Sequence, residues 1–183
     1  MAASRGVKIA AVTGALALAT LVGLGMLARR GGGMADDFAV TDLSGQAVRL
    51  SSFRGQVVLL NLWATWCPPC REEMPSMEHL WQRLRDKGFV LLAVSQDEQG
   101  AKAVAPFVRD NKLTFPVLVD PDHQVGDRYG VWGYPESFLI DREGRVVERV
   151  IGPRDWSSPQ QIAAIERLLA TSAPGVAGTR TAE

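Results

Sequence analysis

The hydrophobic pattern divides the 183-residue chain into two parts. Residues 9–28 form one uncharged and largely apolar run, whereas from Asp37 onward short apolar segments alternate with polar ones. In the second part, Val57–Trp63 and Phe89–Val94 are nearly continuous apolar runs of strand length. Such runs are typical of strands that are covered on both faces of a sheet. The pattern therefore predicts an apolar N-terminal segment followed by a mixed α/β domain.

Three helices are predicted around and after these strands. The segment after the first strand repeats apolar residues every three or four positions up to about Lys87, and Gly88 is placed to end that helix. Ala101–Asn111 is predicted to be a second helix, which Pro106 must start or kink. Pro159–Leu169 carries a single apolar stripe and is predicted to be the last helix. Two weaker elements, an extended piece and a short helix, are predicted at Phe115–Val119 and His123–Tyr129.

Turn sequences predict two β-hairpins. The turn DLSG separates Phe38–Thr41 from Ala47–Leu50, and the turn DREG separates Ser137–Ile140 from Arg145–Ile151. The resulting order is a hairpin, then β-α-β, a helix, and finally β-β-α. This order implies a partly parallel sheet with helices on both faces, and the closing hairpin gives the sheet an antiparallel edge.

The apolar run at residues 9–28 has the length of a membrane span, for which about 20 residues suffice. It is longer than the apolar part of a signal peptide, usually about 7–15 residues, and two arginines follow it. We therefore expect an anchor, with a signal peptide cleaved near Gly33–Ala35 as the alternative. The flanking basic residues weakly favour a cytoplasmic N-terminus and a domain outside the cytoplasm. The predicted layout is N-terminus 1–8, anchor 9–28, linker 29–36, domain 37–173 and disordered tail 174–183.

Charge and cysteine content narrow the possible functions. Lys and Arg number 20 and Asp and Glu also number 20, so nothing predicts a nucleic-acid partner. Two cysteines are too few for a disulfide scaffold. A structural zinc site needs about four ligands, and His79 and His123 do not follow Cys70 at a usual zinc spacing. Redox chemistry without a bound metal is the favoured interpretation.

The two cysteines, Cys67 and Cys70, fall where the strand Val57–Trp63 ends and the next helix begins. The free N–H groups and the positive dipole end of a helix N-terminus favour the thiolate, which is the nucleophilic form of cysteine. The spacing lets Cys70 close a disulfide with Cys67 after a first attack. The pair is therefore predicted to exchange disulfides through a mixed disulfide.

Three neighbouring residues are candidates for tuning this chemistry. Pro68 and Pro69 suit the first helical turn but carry no N–H. If Cys67 caps the helix, only the N–H of Cys70 remains to reach its sulfur. We expect a less stabilised thiolate and hence a more reducing couple. Glu73 lies one turn after Cys70, where it is either a proton acceptor beside the thiols or an ordinary solvated carboxylate.

The segment LLNLWATWCPPCREEMP, residues 59–75, resembles the thioredoxin superfamily, and most closely its TlpA/ResA/CcmG branch of bacterial membrane-anchored or periplasmic thiol–disulfide oxidoreductases. Residues 36–58 are similar to that branch's N-terminal hairpin, and VWGYPESFLIDREGRVV at residues 131–147 is similar to its cis-proline segment and closing hairpin. The likeness covers about residues 36–170. It implies an α/β thioredoxin-like fold with a mixed central sheet, helices on both faces and an added N-terminal hairpin.

The resemblance also assigns roles to individual residues. It implies that Cys67 is the attacking thiol, that Cys70 is the resolving thiol and that Trp66 flanks the site. Pro135 would be the cis-proline, which places the backbone of Tyr134 opposite the disulfide to bind an extended substrate strand.

One departure from cytoplasmic-type thioredoxins concerns proton transfer. Those proteins carry a buried Asp six residues before the first cysteine, and this chain has Asn61 there. Glu73 matches the acidic residue that the TlpA/ResA/CcmG branch carries after the second cysteine. We therefore expect Glu73 to take over the proton-transfer role.

Together these features predict an enzyme without a cofactor other than its own redox-active disulfide. The resemblance implies reduction of envelope-protein disulfides, such as those of apocytochrome c or copper-site assembly factors. It also implies electrons from a membrane thiol reductase and a single-pass location in a bacterial cytoplasmic membrane, with the domain facing the periplasm or the outside.

Three other functions remain as alternatives. A copper-delivery module would use both thiolates, although a Cys-x-x-x-Cys pair and a placed third ligand are lacking. A thiol peroxidase would need Thr or Ser where Ala64 stands. A purely structural scaffold would not require the two intact cysteines.

Overall fold

The computed structural model describes residues 32–171. The predicted N-terminus 1–8, the anchor 9–28, the first part of the linker and the tail 174–183 lie outside the described residues. Among residues 32–171, no helix combines the length and the apolar character that crossing a membrane requires.

A seven-stranded mixed sheet forms the centre of the domain, with the strand order β2-β1-β5-β4-β3-β6-β7. The pairs β3–β4 and β4–β5 are parallel, and all other neighbouring pairs are antiparallel. The predicted mixed sheet is thus confirmed. The strands are β1 Ala39–Asp42, β2 Ala47–Arg49, β3 Val57–Trp63, β4 Phe89–Ser95, β5 Val117–Val119, β6 Glu136–Ile140 and β7 Val146–Ile151.

In the described part of the chain, four α-helices accompany the sheet at the positions predicted from the sequence. The first helix continues through Pro75 and ends in a short 3-10 turn, after which Gly88 adopts a left-handed conformation with φ 81°. Glycine adopts that conformation at little steric cost, which explains the predicted helix end. The helices are α1 Pro68–Leu84, α2 Ala101–Asp110, α3 Gln124–Arg128 and α4 Pro159–Ala170, with 3-10 turns at Leu50–Phe53 and Arg85–Lys87.

Strand β3 is buried on both faces, as its apolar run predicts. Successive side chains of a strand point to opposite faces, so β3 contributes to two separate hydrophobic clusters. Leu59 and Trp63 pack with the apolar faces of α1 and α4 in one cluster, while Leu60 and Leu62 pack with α3 in the other. Asn61 lies on the α1 side and is the one polar residue in this strand.

The folded domain begins earlier than the predicted boundary at residue 37. The N–H of Val146 donates to the carbonyl of Gly33 at 3.0 Å, and the N–H of Ala35 donates to that of Gly144 at 2.8 Å. Ala35 is buried, and Met34 bridges to Arg145. Residues 33–35, predicted to belong to a linker, therefore pair with the beginning of β7 instead.

Candidate active site

Cys67 and Cys70 are joined in a disulfide at the N-terminus of α1. Cys67 is the N-cap residue, and the N–H of Cys70 donates to its Sγ at 3.3 Å. Pro68 and Pro69 occupy the first two helical positions and have no N–H to donate. The predicted capping arrangement is confirmed. Cys70 is fully buried, whereas Cys67 keeps an exposed fraction of 4%, so Cys67 is the more exposed of the two cysteines.

The segment before β6 lies against this disulfide. The Tyr134–Pro135 peptide bond is cis, as the family resemblance implies. The carbonyl oxygen of Tyr134 lies 3.5 Å from the Sγ of Cys67. Trp66 is 64% exposed, and its ring meets the ring of Tyr134 edge-on with centroids 6.0 Å apart. The structure thus brings together Cys67 and the three residues predicted to bind substrate, whose roles stay predictions.

Asp97, at the end of β4, holds the loop that leads into the disulfide. Its Oδ2 accepts from the N–H of Thr65 at 2.9 Å and from the hydroxyl of Ser95 at 2.6 Å, and its Oδ1 accepts from the hydroxyl of Thr65. Sequence reasoning missed Asp97 because this contact joins residues 32 positions apart. The hydroxyl of Thr65 is engaged here and Ala64 is fully buried, which weighs against the peroxidase alternative.

Glu73 lies inside the domain with an exposed fraction of only 4%, so its interpretation as a solvated carboxylate is wrong. Its Oε1 accepts from the side-chain amide of Asn61 at 2.8 Å. Its Oε2 accepts from the N–H of Arg154 at 3.1 Å and from the indole N–H of Trp156 at 3.4 Å. Arg154 and Trp156 belong to the segment after β7, and no local sequence signal connects them with Glu73.

Burial raises the pKa of Glu73 to about 7, because the charged form loses its hydration. The hydrogen bonds from Arg154, Asn61 and Trp156 act in the opposite direction but do not offset this effect. A carboxyl group one helical turn from Cys70 therefore exchanges its proton close to neutral pH.

Asn61 connects the carboxyl group to the sheet. Its amide nitrogen also donates to the hydroxyl of Ser137 in β6 at 2.9 Å. On its other side, Glu73 borders an open groove of about 710 Å³ between α1 and the segment after β7. His79 lies exposed on the wall of this groove. Both oxygens of Glu73 thus accept hydrogen bonds from the protein, and the residue borders a groove that is open to solvent.

His123, predicted to begin a short helix, lies directly before α3 with φ 56°. Its Nδ1 lies 3.5 Å from the hydroxyl of Tyr134. Within residues 32–171, no group of three or more His, Cys, Asp or Glu side chains is arranged to hold a metal ion. Within the described residues, the candidate ligands for the copper-delivery alternative are therefore the two cysteine sulfurs.

Replacing Glu73 with Gln is expected to remove a pH-dependent part of the stability. A carboxyl group whose pKa rises from 4.5 to about 7 on folding stabilises the fold fully below pH 4.5. This contribution is lost as the pH rises through about 7, and it amounts to roughly 3 kcal/mol. In urea denaturation of the oxidised chain, the free energy of unfolding should therefore fall more steeply from about pH 5 to pH 7.5 in the native chain than in E73Q.

The matched control for this experiment is E72Q, since Glu72 is the exposed neighbour on the same helix. E72Q should show the same pH dependence as the native chain. If E73Q also shows it, the buried carboxyl group does not titrate in this range.

Replacing Pro69 with Ala adds an N–H at a helical position that can reach the sulfur of the N-cap Cys67. The pKa of the reduced Cys67 thiol is expected to be lower in P69A, with an acid dissociation constant about tenfold larger, because one hydrogen bond to a charged group is gained. The measurement is the ultraviolet absorbance of the thiolate against pH. P75A, in the same helix but beyond its first turn, should leave the titration unchanged, and an unchanged titration in P69A would contradict the capping argument.

Comparison with known proteins identifies the group to which this site belongs. The chain matches the AhpC/TSA family over residues 32–149. It is 44% identical over 118 residues to a protein of Bacillus thuringiensis (strain Al Hakam) named thiol-disulfide oxidoreductase ResA, and the match covers 64% of this chain and 68% of that protein.

The solved structures that are similar to the domain include two from Chlorobium tepidum. One, from Chlorobium tepidum, is described as a candidate thiol:disulfide interchange protein DsbE; it is 37% identical with a TM-score of 0.66, covering 76% of this chain and 94% of that one. The other is a thiol:disulfide interchange protein of the thioredoxin family from Chlorobium tepidum TLS. It is 27% identical with a TM-score of 0.66, and the match covers 76% of this chain and 97% of that one. The predicted thioredoxin-like fold is confirmed. The chain belongs to the AhpC/TSA family and is a thiol–disulfide oxidoreductase similar to ResA, DsbE and TlpA.

Proposed function

We propose that this oxidoreductase reduces disulfides of proteins outside the cytoplasmic membrane, with Cys67 as the attacking thiol and Cys70 as the resolving thiol. The proposal rests above all on one observation. The Cys67–Cys70 disulfide caps α1 and lies against a cis Tyr134–Pro135 bond, with the Tyr134 carbonyl 3.5 Å from the Sγ of Cys67. A substrate that pairs with this backbone has its own sulfur beside Cys67.

The reaction begins from the reduced dithiol. The Cys67 thiolate attacks one sulfur of the substrate disulfide, a mixed disulfide forms, and the other substrate sulfur leaves as a thiolate that takes up a proton. The Cys70 thiol then loses its proton and attacks the Sγ of Cys67, which releases the second substrate thiolate. Two electrons pass to the substrate, and the Cys67–Cys70 disulfide remains. A membrane dithiol reductase then restores the two thiols by the same exchange in the opposite direction.

Glu73 is suited to accept the proton that Cys70 must lose. It lies one turn further along α1, its pKa is about 7, and the groove beside it gives the proton a path to water. A carboxyl group with this pKa is present in both its protonated and its ionised form near neutral pH, so it can both accept and donate a proton. In the resolving step Glu73 is thus the general base.

Several features of the sequence support a reducing role at the membrane. The prolines at the first two positions of α1 leave few N–H donors for the Cys67 thiolate, which favours the oxidised pair and hence electron donation. The apolar run at residues 9–28 is long enough to hold the chain in the bilayer. The resemblance to the TlpA/ResA/CcmG branch suggests the oxidised Cys-x-x-Cys-His site of apocytochrome c, or a copper-site assembly factor, as the substrate.

The reduction potential tests the direction of the reaction. When the full-length chain is equilibrated with thiol buffers, we expect a reduction potential of about −250 mV or below, which is the range of reducing thioredoxins. A value above about −150 mV would show a disulfide donor instead. In parallel, copper titration and peroxide consumption by the reduced chain test the two remaining alternatives, and both should be negative.

Replacing the resolving cysteine is expected to trap the substrate. With an oxidised Cys-x-x-Cys-His peptide as the probe, reduced C70S should accumulate a mixed disulfide through Cys67, because no second thiol is present to release the peptide. Mass spectrometry under non-reducing conditions measures this adduct. C67S is the matched control and should form little of it. Adduct formation by C67S alone would reverse the two roles.

A further inference from the structure

The residue directly after the cis-proline is a buried carboxylate. Glu136 begins β6 and is only 2% exposed, between Leu62 of β3 and Ile151 of β7. An unpaired carboxylate in such a position is costly, because it loses its hydration without compensation. The side chain of Arg149, which is about half exposed on β7, forms an ion pair with Glu136. The carboxylate at this point of the sheet is therefore paired with one particular guanidinium.

The same guanidinium also contacts the other end of the segment that precedes β6. A second nitrogen of Arg149 donates to the carbonyl of Gly130 at 2.9 Å. The guanidinium lies over the ring of Phe138, 5.3 Å from its centroid, which fixes its plane. Gly130 and Glu136 are the first and last residues of segment 130–136, and this segment carries Tyr134 and Pro135. One side chain of β7 thus holds both ends of the segment.

Arginine is suited to this arrangement by its geometry. Its planar group presents several N–H donors in a fixed fork, so it serves a carboxylate and a carbonyl at once, which the single ammonium of lysine does less well. Between its ends the segment is held by two backbone hydrogen bonds. The N–H of Gly152, directly after β7, donates to the carbonyl of Pro135 at 2.9 Å, and the N–H of Val131 donates to the carbonyl of Gly126 at 2.9 Å. The position of the Tyr134 carbonyl beside Cys67 therefore depends on how segment 130–136 is held.

We infer that Arg149 is a positioning residue for disulfide exchange: by joining Glu136 to Gly130 it holds segment 130–136 so that the Tyr134 backbone pairs with the strand of a protein substrate. The inference rests on the function proposed for Cys67 and Cys70. It predicts that Arg149 affects the reduction of polypeptide disulfides but not of small disulfides. A polypeptide disulfide needs the paired backbone, whereas a small disulfide needs only the sulfur of Cys67.

The test compares these two classes in full-length R149M. Dithiothreitol regenerates the thiols in the peptide assay, whereas the reaction with the small disulfide uses pre-reduced protein freed of dithiothreitol, because that dithiol would reduce the reagent directly. For the oxidised Cys-x-x-Cys-His peptide, we expect KM to rise about tenfold, as for the loss of one or two hydrogen bonds in the complex, with little change in kcat. The rate constant for 5,5′-dithiobis(2-nitrobenzoic acid) should stay within about twofold of the native value. R83M, which removes an exposed ion pair with Glu166 on the helices, is the control and should change neither.

A second variant separates positioning from stability. R149M leaves Glu136 buried without its partner and is expected to lower the stability, while E136M/R149M removes both charges and should recover it. If Arg149 positions the segment, the double variant keeps the raised KM for the peptide, because the carbonyl of Gly130 still lacks its donor from Arg149. A native KM in the stable double variant, or a parallel loss of both activities in R149M, would overturn the inference. If the native chain reduces neither disulfide, the proposed function itself fails.

Discussion

The pairing of β3 on both of its edges is the constraint on which the site depends. β3 lies between β4 and β6 and is covered on both faces, so its C-terminal end cannot move independently. The register with β6 places Leu62 opposite Glu136, and the cis-proline therefore lies just beyond the end of β3. Cys67 follows the same strand by four residues. The reactive sulfur and the backbone that faces it are thus positioned by one set of strand hydrogen bonds.

Several buried polar residues lie close to this strand end. Asn61, Glu73 and Ser137 form a chain of hydrogen bonds between β3, α1 and β6, in a region that is otherwise apolar. Buried polar groups of this kind reduce stability unless they are paired, and a buried carboxyl group is among the most costly. Here hydrogen bonds link all three residues, and apolar clusters cover both faces of the sheet around them.

The fold and the reactive pair were accessible from the sequence because their signals are local. Apolar periodicity located α1, the run Val57–Trp63 located the central strand, and the spacing of Cys67 and Cys70 indicated the chemistry. The environment of Glu73 was not accessible, since two of its partners come from a segment about 80 residues away. The same holds for the Glu136–Arg149 ion pair, because Arg149 lies outside the recognised segment 131–147 and comes beside Glu136 only through the pairing of β6 with β7. Contacts of this kind depend on strand register, which a single sequence does not encode locally.

The attachment of residues 33–35 to β7 fixes the end of the sheet at which the described chain begins, relative to the disulfide. These residues pair with the beginning of β7, whereas the disulfide lies at the end of the sheet where β7 finishes. β7 has six residues, and at about 3.3 Å per residue the sheet separates the two points by roughly 20 Å. Residues 33–35 and the Cys67–Cys70 disulfide therefore lie at opposite ends of the sheet. A partner that exchanges disulfides with Cys67 must approach the end of the sheet that lies away from residues 33–35.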